Sequence, residues 1–174
     1  MANAYYKLAM IGIVGFIGFG AFMAYYGYQN DVYPLDKSRG LLDRIQGTND
    51  PLTMIDYLKT IKTLLPEEGN PVWIFPTATT DFGLIQKDID TMISSVEKVS
   101  TVPQDSSSFN TAMLDIHERA TDLRVHLMDA TPYMYVSFSN TVFSSLWVAA
   151  IMGIFAILKK KKERLKSFEI SDDV

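Results

Sequence analysis

LAMIGIVGFIGFGAFMAYYGY, residues 8–28, and YMYVSFSNTVFSSLWVAAIMGIFAIL, residues 133–158, contain no Asp, Glu, Lys or Arg. Each exceeds the roughly 20 residues that a helix needs to cross the ~30 Å hydrocarbon core of a bilayer. One ionised side chain at the centre of such a helix costs about 2.5–3.5 kcal/mol on insertion scales. The pattern predicts an all-α membrane protein with two transmembrane helices. It divides the 174-residue chain into an N-terminus (1–7), a first span (8–28), a middle domain (29–132), a second span (133–158) and a basic tail (159–174). A cleaved signal peptide is the other reading of residues 8–28, but its apolar run is usually about 7–15 residues and ends at a small-residue site. No A-x-A triplet follows here, and Tyr25, Tyr26 and Tyr28 suit an interfacial belt. The first span is expected to be an uncleaved anchor.

Charge sets the expected topology. Directly after the second span come Lys159, Lys160, Lys161, Lys162, Arg164 and Lys166. Basic residues beside a span mark the cytoplasmic side. Both termini are therefore expected in the cytoplasm, with the middle domain outside a plasma membrane. That domain holds sixteen acidic and nine basic residues, a net charge of −7, which argues against a nucleic-acid partner. The chain has no cysteine, so neither a disulfide nor a thiolate metal site is available to hold the domain together.

Between the spans the apolar residues recur at helical spacing. Phe82, Ile85, Ile89, Met92, Val96 and Val99 form one seam, and Phe109, Met113, Ile116, Ala120, Leu123 and Leu127 another. Both advance by alternating steps of three and four, the spacing with which antiparallel helices interlock in a bundle. A shorter seam, Met54, Leu58, Ile61 and Leu65, follows the capping sequence Asn49-Asp50-Pro51. Leu41, Leu42 and Ile45 suggest a weaker helix ahead of it, stopped by Gly47. The expectation is a four-helix antiparallel extracytoplasmic bundle, with helices near 35–46, 51–65, 81–101 and 107–131. Pro132 is expected to bend or cap the junction with the second span. An even number of helices returns both domain ends to one membrane surface, and it brings the 66–80 loop back to that surface too.

That loop carries Pro71-Val72-Trp73-Ile74-Phe75-Pro76, an apolar and aromatic cluster fenced by prolines. Three fates suit Trp73 and Phe75: packing under the bundle, dipping into the headgroup region, or filling a pocket on a partner subunit. Along the second span, Thr141, Ser145, Ala149 and Gly153 fall at successive i+4 positions. Small residues so spaced allow close helix approach in lipid, either to the first span or to another membrane protein.

Chemistry is sparse by contrast. His117 and His126 are nine residues apart, about two and a half helical turns, too far to share an ion on a straight helix. Asp115, Glu118, Asp122, His126 and Asp129 form a stripe opposite the apolar seam, the appearance of a solvated helix face. Asp88/Asp90 and Glu67/Glu68 lack the apolar surroundings that would raise a carboxyl's acidity constant. No phosphate-binding, dinucleotide-binding or nucleophile-elbow motif is present. No catalytic, cofactor-binding or metal-ligating residue and no cofactor is predicted, and the chain is not expected to be an enzyme by itself.

These features predict a non-catalytic accessory subunit whose partners are other integral membrane subunits and membrane lipid. The short two-span layout, the cysteine-free helical outer domain and the proline-fenced loop at 71–76 resemble small accessory subunits of the archaeal copper membrane monooxygenase that oxidises ammonia. The resemblance implies a structural role beside a copper enzyme, and it carries over no metal ligand. An extracytoplasmic sensor or ligand-binding module is the alternative, since two spans flanking four helices is also a chemoreceptor-like layout. With 16 residues after Leu158, such a sensor would need a separate cytoplasmic effector.

Overall fold

The computed structural model describes residues 2–136 and 138–172, with side chains at 10–136, 140–157, 159 and 160. No strand occurs among the described residues. The chain divides into two compact units, Met1–Ser137 and Phe138–Val174.

The first unit begins with α1, Ala2–Gly27. Ile11, Ile13, Ile17, Phe19 and Phe22 are exposed and are distributed around this helix. Continuous with it, Tyr28–Val32 form one π-helical turn, closed by the Tyr33 N–H on the Tyr28 carbonyl. Pro34 is the cause. It has no N–H for the carbonyl of residue 30, and in a regular α-helix its ring would clash there. Widening the turn by one residue relieves the clash. Within the turn the Asn30 side chain donates to the Tyr26 carbonyl at 2.8 Å. The helix then runs on as α2, Tyr33–Gln46. A separate helix near 35 was the expectation; a π turn absorbs the proline instead, and Met10–Gln46 is one helical stretch.

α2 is followed by α3 (Pro51–Leu64), α4 (Phe82–Val99) and α5 (Ser107–Tyr135). Each starts on a side-chain cap: Asp50 accepts from the Thr53 N–H, Asp81 from Leu84 and Ser106 from Phe109. The Thr53 hydroxyl and N–H together hold the Asp50 carboxyl below the usual carboxylate range. Gly47 ends α2 at φ −90°, a right-handed conformation, so its left-handed freedom is not used there.

The four helices close a ring of contacts, α2 on α3 and α5, and α4 on α3 and α5. Direction is legible from the pairs between them. Asp43 meets Arg124 at 2.7 Å and the Thr48 carbonyl accepts from His117 Nε2 at 3.0 Å, so numbering rises along α2 as it falls along α5. Gln86, at the start of α4, donates through Nε2 to the carbonyls of Lys62, Leu65 and Pro66, where α3 ends.

The seams read from the sequence converge in one core, with every member of the α4 and α5 seams buried. The α2 seam is longer than its apolar residues suggest. It includes Leu35 and the fully buried Ser38, whose hydroxyl donates to the Pro34 carbonyl at 2.7 Å. A serine satisfied by its own helix adds no unpaired polar atom to a core. Pro132 does not end α5, which runs to Tyr135 and stops at Val136. The second apolar stretch is thus divided: its first three residues belong to α5, and α6 begins at Phe138.

The second unit is α6, Phe138–Asp172. Val142, Phe143, Leu146, Val148, Met152, Phe155 and Ile157 along it are exposed. Met10–Gln46 and Ser107–Ile157 each contain a window long and apolar enough to cross a membrane, and neither window has a buried residue.

Two outcomes follow for the detergent-solubilised chain. Ile89→Ala, at a fully buried position, costs about 2–5 kcal/mol, whereas Leu114→Ala, at a position 69% exposed, stays within about 0.5 kcal/mol of the parent; thermal unfolding by circular dichroism checks both. For Asp50 the folded acidity constant lies below the unfolded one, so its stabilisation is complete above the ordinary carboxylate range and is lost as pH falls through the lowered value. Asp50→Ala therefore melts below the parent at neutral pH, and the gap narrows as acid is added.

Candidate functional site

Residues 66–80 connect α3 to α4 as a built loop, not a slack one. Gly69 adopts φ +105°, a left-handed conformation that favours glycine, and its carbonyl accepts from the Phe82 N–H at 2.8 Å. Asn70 then bridges the loop. Its Nδ2 donates to the Thr77 carbonyl at 2.8 Å, and its Oδ1 accepts from the Val72 N–H and the Thr80 hydroxyl, both at 3.0 Å. A short 3₁₀ turn, Ala78–Thr80, packs the base of the loop onto α5 and α4.

This frame divides the apolar tip into an inside and an outside. Val72 is buried and acts as the plug. Trp73, Ile74 and Phe75 face outward, Phe75 at 81% exposure. One bond ties the tip down: the Trp73 Nε1–H donates to the Val136 carbonyl at 3.3 Å, across 63 residues of chain. Val136 follows the last residue of α5. The indole supplies a donor at that end.

Tyrosines of the π turn lie near the same end of α5. The π turn packs against α5. Tyr28 lies within electrostatic reach of Tyr135 and Asp36, and its ring sits 6.4 Å from that of Tyr33. Phe22 and Tyr26 stack one turn back along α1, also at 6.4 Å. Tyr25, Tyr26, Tyr33, Tyr133 and Tyr135 are all exposed. Exposed apolar surface of this extent on a well-packed bundle marks a contact surface.

Thr141, Ser145, Ala149 and Gly153 lie at exposed positions along α6, and a Cβ added at Gly153 would meet nothing within 4 Å. The polar residues weighed for chemistry are spread over the surface. Asp115 pairs with Arg119 at 2.9 Å, Asp90 pairs with Lys62, and His117 is engaged by Thr48. Glu67, Glu68, Glu118, Asp122 and Asp129 are exposed. Among the described residues no group of three or more His, Asp or Glu is placed to hold a metal ion. An open groove of about 530 Å³ beside the end of α3 is lined by Lys59, Lys62, Thr63, Glu67 and Gln86.

Asn70, Val72 and Val136 were not singled out in the sequence. Asn70 carried one usable signal, an amide next to a proline within the charge-free segment 69–80, where Asn side chains commonly stand in for backbone partners. Asn70→Ala removes three hydrogen bonds, each with a net worth of about 0.5–1.5 kcal/mol. It is expected to raise hydrogen exchange across residues 69–80 by at least about tenfold, with exchange in the α4 and α5 cores unchanged.

No known protein family, curated protein or solved structure matches the chain.

Proposed function

We propose that the chain is a two-pass membrane protein acting as a non-catalytic subunit of a larger integral membrane assembly. In this reading α1 and α6 cross the bilayer, α2–α5 form an antiparallel bundle on the outer side, and both termini lie in the cytoplasm. The observation that carries it is the exposed apolar surface of α1 and α6, where Ile11, Phe22, Leu146 and Phe155 are each about as open as a side chain on a free helix. Burying each such residue is worth about 1.5–3 kcal/mol, so surfaces of this kind call for lipid or protein to cover them. A helix apolar on every side belongs in a core or in a membrane.

The basic residues after position 158 favour the cytoplasmic placement of the tail. The tyrosines where the helical stretches leave the bundle suit the level at which aromatic side chains concentrate in membrane proteins. The subunit role is supported by the small-residue row on α6 and by the tied aromatic loop. The layout shared with small subunits of the archaeal copper monooxygenase makes such an assembly the first to be searched for this chain.

The absence of cysteine allows a direct topology test. With a membrane-impermeant thiol reagent on intact cells, Asp105→Cys is expected to be labelled, and Ser167→Cys only after permeabilisation; the reverse pattern overturns the topology. Extraction in mild detergent is expected to recover the chain with other integral membrane subunits. A monodisperse chain with no companion under those conditions defeats the subunit reading.

A further inference from the structure

We infer that the loop tip Trp73-Ile74-Phe75 is a third membrane contact, inserted into the headgroup and upper acyl region of the outer leaflet beside the two spans. The inference rests on α1 and α6 being those spans, and it commits the exposed tip to lipid as its occupant.

Three independent observations lead there. The first is level. Trp73 is bonded through Nε1 to Val136, which stands two residues ahead of the first residue of α6. Two residues of chain reach at most about 7 Å, so the carbonyl that the indole holds lies, along the chain, directly ahead of the second apolar helix. The second is company. At the same end Tyr28, Tyr33 and Tyr135 expose their rings, so the loop continues an aromatic belt instead of standing alone. The third is charge. Residues 69–80 contain no ionisable side chain, and the nearest along the chain on either side, Glu68 and Asp81, lie outside the stretch that the Asn70 bonds to Thr77 and Thr80 close. A segment that enters the interface loses water around whatever it carries, and this one carries nothing that must be desolvated as an ion.

The built frame adds a reason for rigidity. Gly69, Asn70 and the buried Val72 hold the tip in one shape. Little ordering entropy is then lost on insertion. With the indole N–H already satisfied by Val136, the ring face and the Ile74 and Phe75 side chains remain to be buried. Interfacial segments sink apolar groups about 5–10 Å into the headgroup and acyl boundary, a depth within reach of the two residues after Trp73.

The chain has two tryptophans, Trp73 and Trp147, and each controls for the other. Trp147→Phe leaves Trp73 as the sole indole, and Trp73→Phe leaves Trp147. Trp147 is nine residues into α6, about 14 Å along the helix. Both full-length chains are reconstituted into phosphatidylcholine and phosphatidylglycerol vesicles bearing a nitroxide either near the headgroup or deep in the acyl chain. Trp73 is expected to lose most of its fluorescence to the shallow nitroxide and little to the deep one, with Trp147 showing the opposite order. Adding Phe75→Asp to the Trp147→Phe chain is expected to relieve the shallow quenching of Trp73. If Trp147 is quenched deeply while Trp73 ignores both lipids and is quenched by iodide present on both sides, the spans stand and the lipid contact is overturned, leaving the tip for a protein pocket. Shallow quenching that Phe75→Asp does not change reports mere nearness to α6 and also overturns insertion. Should Trp147 escape both nitroxides, the spans themselves fall, and this inference with them.

Discussion

Every α-helix leaves backbone N–H groups unpartnered at its start and carbonyls unpartnered at its end, and burying them unpaired is costly. The architecture of this chain follows from how those groups are answered. Asp50, Asp81 and Ser106 serve the starts of α3, α4 and α5. Gln86 gathers three carbonyls where α3 ends, and His117 reaches the turn after α2. Trp73 does the same where α5 ends. Two of these donors arrive from another helix and one from a loop. Satisfying helix ends therefore also sets which elements are neighbours and in which direction they run.

The same constraint governs the passage between apolar helix and bundle. A break in hydrogen bonding is most costly where water is scarce. Pro34 threatens one at the start of α2, and a π turn with the Asn30 amide on the Tyr26 carbonyl accommodates it without interrupting the helix. α5 ends at Tyr135, and there the Trp73 indole donates to the carbonyl of the next residue. A loop whose aromatic tip is tied to such a helix end is positioned by the fold itself, which is why Trp73, Ile74 and Phe75 are the residues on which a contact with the surroundings is argued.

Much of the bundle was legible in advance because its signal is periodic. A buried residue every three or four positions shows in the chain without knowledge of the partner helix, and the α3, α4 and α5 seams were read almost to the residue. Where polarity and burial part company the signal fails: Ser38 is buried because its hydroxyl bonds to its own helix, a local event that hydropathy does not register. Helix boundaries at proline were misplaced for a related reason. The first bundle helix was placed only from residue 35, and Pro132 was read as a bend or cap, but the cost of a proline depends on whether the turn around it can widen or its lost bond be replaced. The candidate loop was recognised by its composition, yet its order was not, because Asn70 makes its bonds to Thr77 and Thr80 across a fold of chain that only exists once the loop has closed.

By itself the sequence determined two apolar stretches free of charge, a net acidic helical segment between them, and the seams along which that segment packs. These properties belong to single residues and their spacing, and the hydrophobic effect and helical geometry act on them locally. Only the tertiary structure decided that α1 runs unbroken into α2, that Val72 turns in while Trp73 and Phe75 turn out, and that an indole 63 residues away closes the end of α5. Those outcomes depend on which donors meet which carbonyls in three dimensions, and a hydrogen bond between distant residues leaves no period in the chain from which to read it.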